Sequence, residues 1–264
     1  MRIAVALAFG LALICHAPAL AQAASPTPVP IAEWPLSKIS AMGQEIYRQD
    51  VAAWVATDAL FARFGGTPPA GLGGWIVVPD GDDQRVRFVV REGENVRPGW
   101  DVVVRDGRAG TVEVVTDGVL SEHELARFRA RQTAAENIGR LRCGPNMNSV
   151  VADDPDSDGW LVWLLTSTTD VNIVPMGGHY RFTISADGLS VLGRDQLSNS
   201  CLPLPKPAPS AGRQPASLFI TQIVSQTPVE THVFLSLQNR LPIYVGVGDK
   251  VFEVNGAVIR EVRR

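Results

Sequence analysis

The chain has 264 residues, of which 45% are hydrophobic, and a formal net charge of −3 from 24 basic and 27 acidic residues. This length and apolar content are enough to bury a core in one large domain or two small ones. The mild acidity argues against a nucleic-acid partner or an anionic membrane surface, since both select a basic face.

The N-terminal residues predict export. Arg2 precedes an apolar run over residues 3–14, and Ala21 to Ala23 place small residues where a signal peptidase cleaves. The run is shorter than the roughly 18–20 residues that span a bilayer. We therefore predict a signal peptide over residues 1–23, no transmembrane anchor, and a periplasmic or secreted location.

The cysteines predict one disulfide. Cys143 and Cys201 would be the two left after cleavage, and an exported protein meets an oxidising compartment. Neither lies in a CxxC motif or near a histidine at metal-ligand spacing, which disfavours a metal or a nucleophilic thiol. Cys15 raises a lipoprotein alternative, but Ile14 occupies the position where a small residue is expected.

Two helices are predicted after a proline-rich leader. Residues 24–37 contain four prolines and indicate an extended, mobile segment. Helical spacing then predicts a helix over about 38–64, either continuous or broken near Gly43. A second helix is predicted over about 122–138, because Ser121 and Glu124 form a capping box.

The rest of the chain has the period of strands. Asp-Gly and Asn-Gly turns predict hairpins, at 80–81, 106–107, 187–188 and 255–256. "SLFITQIV", "THVFLSLQ" and "IYVGVGDKVFEVNGAVIREV" are interpreted as three or four strands. Residues 202–215 are too rich in proline for regular structure and are interpreted as a connector.

This pattern predicts an α+β fold, with mostly antiparallel sheets built from hairpins and two main helices. Residues 38–264 are expected to form one domain. A boundary between subdomains near residue 140 is possible, although a core shared across it is an equal alternative.

Motifs for catalysis are sparse. The mature chain has no GxSxG elbow, P-loop or GxGxxG after a strand. His123 and Glu124 begin an HExxH-like stretch, but Arg127 stands where the second histidine would have to be. We interpret that stretch as a solvated helix face.

Residues 153–159, "DDPDSDG", are the best candidate for a metal site. Asp154, Asp156 and Asp158 match the first carboxylates of a calcium-binding loop, and Gly159 matches its turn. The bidentate glutamate expected at the twelfth position is Leu165. The alternative is a polar hairpin loop whose aspartates cap their own turn.

The stretch "GGHYRFTISADG" divides by face, because alternate residues of a strand point to opposite sides. Tyr180, Phe182 and Ile184 form the predicted core face. His179 and Arg181 begin a polar row, which ordinary alternation predicts to face solvent. Because arginine suits carboxylate or phosphate capture, these two and His232 are the candidates for ligand binding.

Four segments resemble a group of exported α+β proteins of Gram-negative bacteria for which no activity is established. The segments are "GWLVWLLTSTTD", "GGHYRFTISADG", "SCL" and "THVFLSLQNRLPIYV". The resemblance implies export and a secreted α+β domain, and it transfers no catalytic residue.

The leading hypothesis is an exported, non-catalytic binding or accessory protein of the cell envelope. Its partner would be an envelope protein, a glycan or a small ligand. One alternative is a hydrolase whose site assembles around His179, Arg181 and His232. Another is a domain stabilised by calcium at Asp154, Asp156 and Asp158, and no other cofactor is expected.

Overall fold

The structure, a computed structural model, describes residues 27–93, 95–207 and 216–262. The predicted signal peptide and residues 208–215 of the predicted connector lie outside the described residues. Within these ranges the chain forms three helices and 14 strands, and the strands make mostly antiparallel sheets, which confirms the α+β class. No described helix is both long and apolar enough to cross a bilayer.

The helices are α1 (Leu36–Arg63), α2 (Glu122–Glu136) and α3 (Glu230–Asn239). The strands are β1 (Leu72–Asp80), β2 (Asp83–Glu92), β3 (Asn95–Arg105), β4 (Arg108–Val114), β5 (Met147–Asp153), β6 (Trp160–Thr166), β7 (Ile173–Pro175), β8 (Tyr180–Ile184), β9 (Val191–Gln196), β10 (Pro203–Pro205), β11 (Leu218–Thr221), β12 (Ile243–Val247), β13 (Lys250–Asn255) and β14 (Val258–Val262).

The strands form three four-stranded sheets and one pair. An N-terminal meander has the order β1-β2-β3-β4, a central sheet β5-β6-β8-β9, and a C-terminal sheet β11-β12-β13-β14. Strands β7 and β10 make the pair. All partners are antiparallel except β11 and β12, which are parallel and joined through α3.

Helix α1 is continuous and packs on both parts of the chain. Its first half places Ile39 and Ile46 in a core cluster with α3 and the central sheet. Its second half places Ala56 and Leu60 against the meander. Gly43 causes no break; it allows close approach to α3, because a Cβ there would overlap Val233 and lie 2.7 Å from the Glu230 carbonyl oxygen.

Helix α2 begins at the predicted capping box. The Glu124 amide donates to the Ser121 hydroxyl, and the Ser121 amide donates to the Glu124 carboxylate. The helix ends two residues earlier than predicted. Its alanines cover one face of the central sheet, while Phe128 packs against the meander. Both α1 and α2 therefore contribute to cores on either side of residue 140.

The prediction of a strand at "THVFLSLQ" was wrong, because this segment is α3. Seven consecutive residues of it, 230–236, are buried. Contact on all sides hides the helical period, and its β-branched and aromatic residues have strand propensity, which tertiary packing overrides. Helix signals were nevertheless present: Glu230 lies in the first turn, and Pro242 follows the end.

Two proline-rich segments are more ordered than predicted. In the leader, the Ile31 amide donates to the Val224 carbonyl, and the Glu33 carboxylate accepts from the Gln226 amide at 2.6 Å. In the connector, residues 203–205 form β10 and pair with β7. A three-residue strand tolerates proline because few of its amides need a ladder partner.

Gly43→Ala tests the contact between α1 and α3. In an open helix this change stabilises by roughly 0.5–1 kcal/mol. Here the added Cβ has no space, and we expect a loss of about 1–3 kcal/mol in the free energy of unfolding. Urea denaturation measures it, with exposed Asp58→Ala as the control, which should change stability by at most about 0.5 kcal/mol. A Gly43→Ala protein as stable as wild type would contradict this packing.

Candidate functional site

The polar row of β8 begins in the protein interior rather than at the surface. His179 is 1% exposed and Arg181 is 2% exposed, so the expectation that this row faces solvent was wrong for both. Arg181 pairs with Trp163 of β6 and therefore shares its face of the sheet. That face packs against α1 and α3 in the largest core cluster.

A signal in the neighbouring strand could have indicated this burial. All seven residues of β6 are buried, and their sequence "WLVWLLT" shows no alternation. An unbroken apolar run is typical of a strand covered on both faces. A strand paired with β6 would then have both of its faces covered as well. The opposite face of β8 carries Tyr180, Phe182 and Ile184, which are buried as predicted and pack in one cluster with alanines of α2.

Arg181 is held by protein groups at every nitrogen. Its Nε and Nη2 donate to the Asp195 carboxylate at 3.0 and 2.6 Å, and Nη1 donates to Glu230 at 3.1 and 3.2 Å. Nη2 also donates to the Ala32 carbonyl at 2.8 Å. The guanidinium carbon lies 3.7 Å from the centre of the Trp34 ring.

Glu230, the first residue of α3, is completely buried. Besides Arg181 it accepts a hydrogen bond from Trp163 Nε1 at 2.8 Å. A buried carboxylate needs such partners, because an unpaired charge away from water costs several kcal/mol. The paired charges thus join β8, β9, α3 and the leader in one place.

The two histidines are also buried and have backbone partners. His179 Nδ1 accepts from the Thr166 amide at 3.0 Å, which places the proton on Nε2, where it donates to the Pro175 carbonyl at 2.8 Å. His232 Nδ1 accepts from the Val229 amide at 3.1 Å. Burial lowers the pKa of His179 to about 4 and that of His232 to about 3, the latter lowered further by the nearby His179.

The structure thus gathers the three sequence candidates in one interior region but closes it to ligands. The crevice beside Arg181 and Glu230, bordered by Trp34 and Pro228, has no space in which a water molecule fits. The buried imidazoles are neutral, and every nitrogen of the Arg181 guanidinium donates to a protein group. These side chains therefore belong to the folded core. This arrangement adds no support to the hydrolase hypothesis, which stays a prediction.

The glycines before His179 serve the predicted disulfide. Cys143 and Cys201 are bonded, with Cα atoms 5.3 Å apart. A Cβ at Gly178 would overlap the Cys143 side chain, and one at Gly177 would overlap the Ser200 carbonyl oxygen. Gly178 also has a φ of +83°, a conformation that favours glycine. The pair therefore allows close approach of the bridged loops.

The aspartate loop is closed by its own hydrogen bonds. Asp154 accepts from the Asp156 amide at 3.1 Å and from the Ser157 hydroxyl at 2.9 Å. Asp156 also forms an ion pair with Lys38. In the described part of the chain, no three His, Cys, Asp or Glu side chains are grouped to hold a metal ion. Calcium binding with Asp158 as a third ligand stays a prediction.

The HExxH-like stretch is only partly the solvated face expected from sequence. His123 is exposed and lies 3.1 Å from the Asp153 carboxylate. Arg127 is buried: it donates to the Val77 carbonyl and to Asp153, the latter at 2.6 Å, but its Nε has no partner. Burial lowers the pKa of Arg127, and Asp153 opposes that effect.

Three hollows near the surface are open instead. The largest, about 770 Å³, lies between α1 and the hairpin turns at Asp82 and Asp106. A second, about 650 Å³, lies between the leader and β9, beside Arg194. A third, about 290 Å³, lies between α2 and β5 and includes Arg131 and Arg142. No histidine or cysteine lines any of the three.

Comparisons with protein-family models, with curated proteins and with solved structures find no match to this chain.

Arg181→Met tests the buried charges. The change leaves Glu230 without its cation, and we expect a loss of about 3–5 kcal/mol in the free energy of unfolding. The double variant Arg181→Met/Glu230→Met should lose less than the sum of the two single changes, because no buried charge remains unpaired at Glu230. Arg97→Met, which breaks an exposed pair with Glu92, is the control and should cost at most about 1 kcal/mol. Additive effects in urea denaturation would contradict the pairing.

The two buried histidines should make the folded protein less stable in acid. Their pKa values are lower in the folded protein than the 6.5 of a free histidine, so the unfolded chain binds more protons below that pH. Their contribution to stability is complete above pH 6.5 and declines as the pH falls, toward about 4 for His179 and about 3 for His232. The decline is up to about 1.4 kcal/mol per pH unit for each histidine.

Urea denaturation between pH 4.5 and 7.5 measures this slope. His179→Asn and His232→Asn each keep a hydrogen-bond acceptor but remove the titrating group. Each should reduce the slope of unfolding free energy against pH by the equivalent of up to one bound proton. His123→Asn, at an exposed position, should leave it unchanged. An unaltered slope in both interior variants would show that these histidines are not buried as neutral groups.

Proposed function

We propose that this chain is an exported binding protein of the bacterial cell envelope without catalysis of its own. The observation that carries the proposal is the contrast between its interior and its surface. His179, His232 and Arg181 are sealed in the core with protein partners. The three open hollows present amides, hydroxyls and charged groups, which suit recognition.

Export is supported by the sequence of residues 1–23 and by the resemblance to exported proteins. The Cys143–Cys201 disulfide is compatible with an oxidising compartment, although it is weak support by itself. The bridge closes a loop with a sequence separation of 58 residues, which the chain-entropy model values at about 4 kcal/mol. A protein that depends on this bond would fold poorly where thiols are kept reduced.

The first test is of location. The full chain, expressed in a Gram-negative host, should appear in the fraction released by osmotic shock, shortened by 23 residues and without free thiols. The chain lacking residues 1–23 should stay in the cytoplasm with two free thiols. A full-length, reduced protein in the cytoplasm would overturn export.

The second test separates binding from catalysis. The purified oxidised protein is screened with envelope glycan fragments, peptides and small metabolites, with thermal stabilisation and product formation followed in the same samples. We expect at least one compound to raise the melting temperature without being converted, because a ligand stabilises the state it binds. Turnover that His179→Asn or His232→Asn abolishes would replace the proposal with the hydrolase hypothesis.

A further inference from the structure

The cleft between α2 and β5 has the composition of a binding site for an anion. It opens between the end of α2, the loop that follows and strand β5, with a volume of about 290 Å³. Its lining combines two arginines and a hydroxyl with three apolar side chains: Arg131, Arg142, Ser149, Ile138, Met147 and Leu164. This volume lies just below the range for ligand sites, about 300–1,000 Å³, and suits only a small ligand.

Arg131 is a desolvated cation without a counter-charge. Burial lowers its pKa, and no acidic group opposes that effect. Arg127, one turn earlier, is also desolvated, but Asp153 lies 2.6 Å away and opposes the shift. Among the described residues, no carboxylate oxygen lies within 4.0 Å of a nitrogen of Arg131 or Arg142. A bound anion would supply the charge that the chain itself does not.

Arg131 is held in a defined orientation. Its Nε donates to the Ser149 hydroxyl at 2.7 Å, and its guanidinium carbon lies 4.3 Å from the centre of the Trp75 ring. Its Nη1 lies against Gly74, where any Cβ would overlap it. The Trp75 ring covers one face of the guanidinium, and the Ser149 hydroxyl accepts from Nε. No described group accepts from the two Nη nitrogens. Preorganised donors lose little conformational entropy when they bind a ligand.

Arg142 is placed in the wall of the same cleft by the disulfide. It immediately precedes Cys143, whose bond to Cys201 fixes the start of the loop over residues 142–146. Its side chain is exposed and has no ion pair among the described residues. It therefore adds a second guanidinium to the lining of the cleft that contains Arg131.

We propose that this cleft binds a small organic carboxylate with a short apolar body. Guanidinium groups bind carboxylates through paired charge-assisted hydrogen bonds. Inorganic phosphate or sulfate would satisfy the charge but make no apolar contact with Ile138 and Met147, which also line the cleft. The proposal rests on the binding role proposed above and names the ligand class of one of its three hollows.

Hexanoate is the test ligand, and isothermal titration of the oxidised full-length mature protein measures its binding. Hexanamide has the same apolar body without the charge, and inorganic phosphate has the charge without the body. We expect hexanoate to bind at least about tenfold more tightly than either, because a lost charge-assisted bond or lost apolar contact weakens affinity by roughly that factor.

A self-blocking variant makes the test specific to the cleft. Ala135 is exposed on α2, borders the cleft and lies one turn after Arg131. Ala135→Glu places a carboxylate beside that cation and should weaken hexanoate binding about tenfold or more, while the matched control Ala135→Gln should stay within about threefold of wild type. Arg142→Gln changes an exposed side chain and should also weaken binding without loss of melting temperature.

Four results would overturn the proposal: no binding of hexanoate, equal binding of hexanamide, equal binding of phosphate, or undiminished binding by Ala135→Glu. None of these would by itself remove the broader binding role, because a compound that stabilises the protein by binding in either of the two larger hollows would still support it. Turnover dependent on the buried histidines would remove the broader role but not a measured affinity for hexanoate.

Discussion

The fold depends on two carboxylates that share one buried guanidinium. Arg181 of β8 joins Asp195 of β9 and Glu230 of α3, and its carbonyl contact at Ala32 and its stacking on Trp34 bring in the leader. These groups come from segments far apart in the chain. A buried charge tolerates few alternative arrangements, because any that leaves it unpaired costs several kcal/mol. The network therefore selects how α3 and the leader pack on the central sheet.

That selection has a consequence for function. Side chains that could perform chemistry, His179 and His232 with Arg181, are used to build the interior, where each has protein partners. Recognition is left to the surface hollows. In the cleft beside α2 the chain leaves a cation, Arg131, without an acid. A desolvated charge needs a partner. This requirement accounts for the paired charges of the closed core, and it is the reason to expect an anionic ligand in the open cleft.

Local chemistry made several elements predictable. The capping box at Ser121 and the Asp-Gly turns depend on neighbours within a few residues, and the structure has both. The disulfide was predictable because only two cysteines would remain after cleavage. Helix α3 was not predictable in this way, since the burial of seven consecutive residues, 230–236, erased the helical period. The burial of Arg181 was also missed, because it follows from the neighbouring strand rather than from its own.

The sequence by itself thus determined the fold class, the hairpins, two of the three helices and the disulfide, all of which rest on short-range patterns or simple counting. Only the tertiary structure decided that both faces of β8 are buried, that α3 is a helix, and which arginines have an acidic partner. Those outcomes depend on contacts between Trp163 and Arg181, Gly43 and Val233, or Arg131 and Trp75. Residues distant in the chain make these contacts, and no local pattern records them.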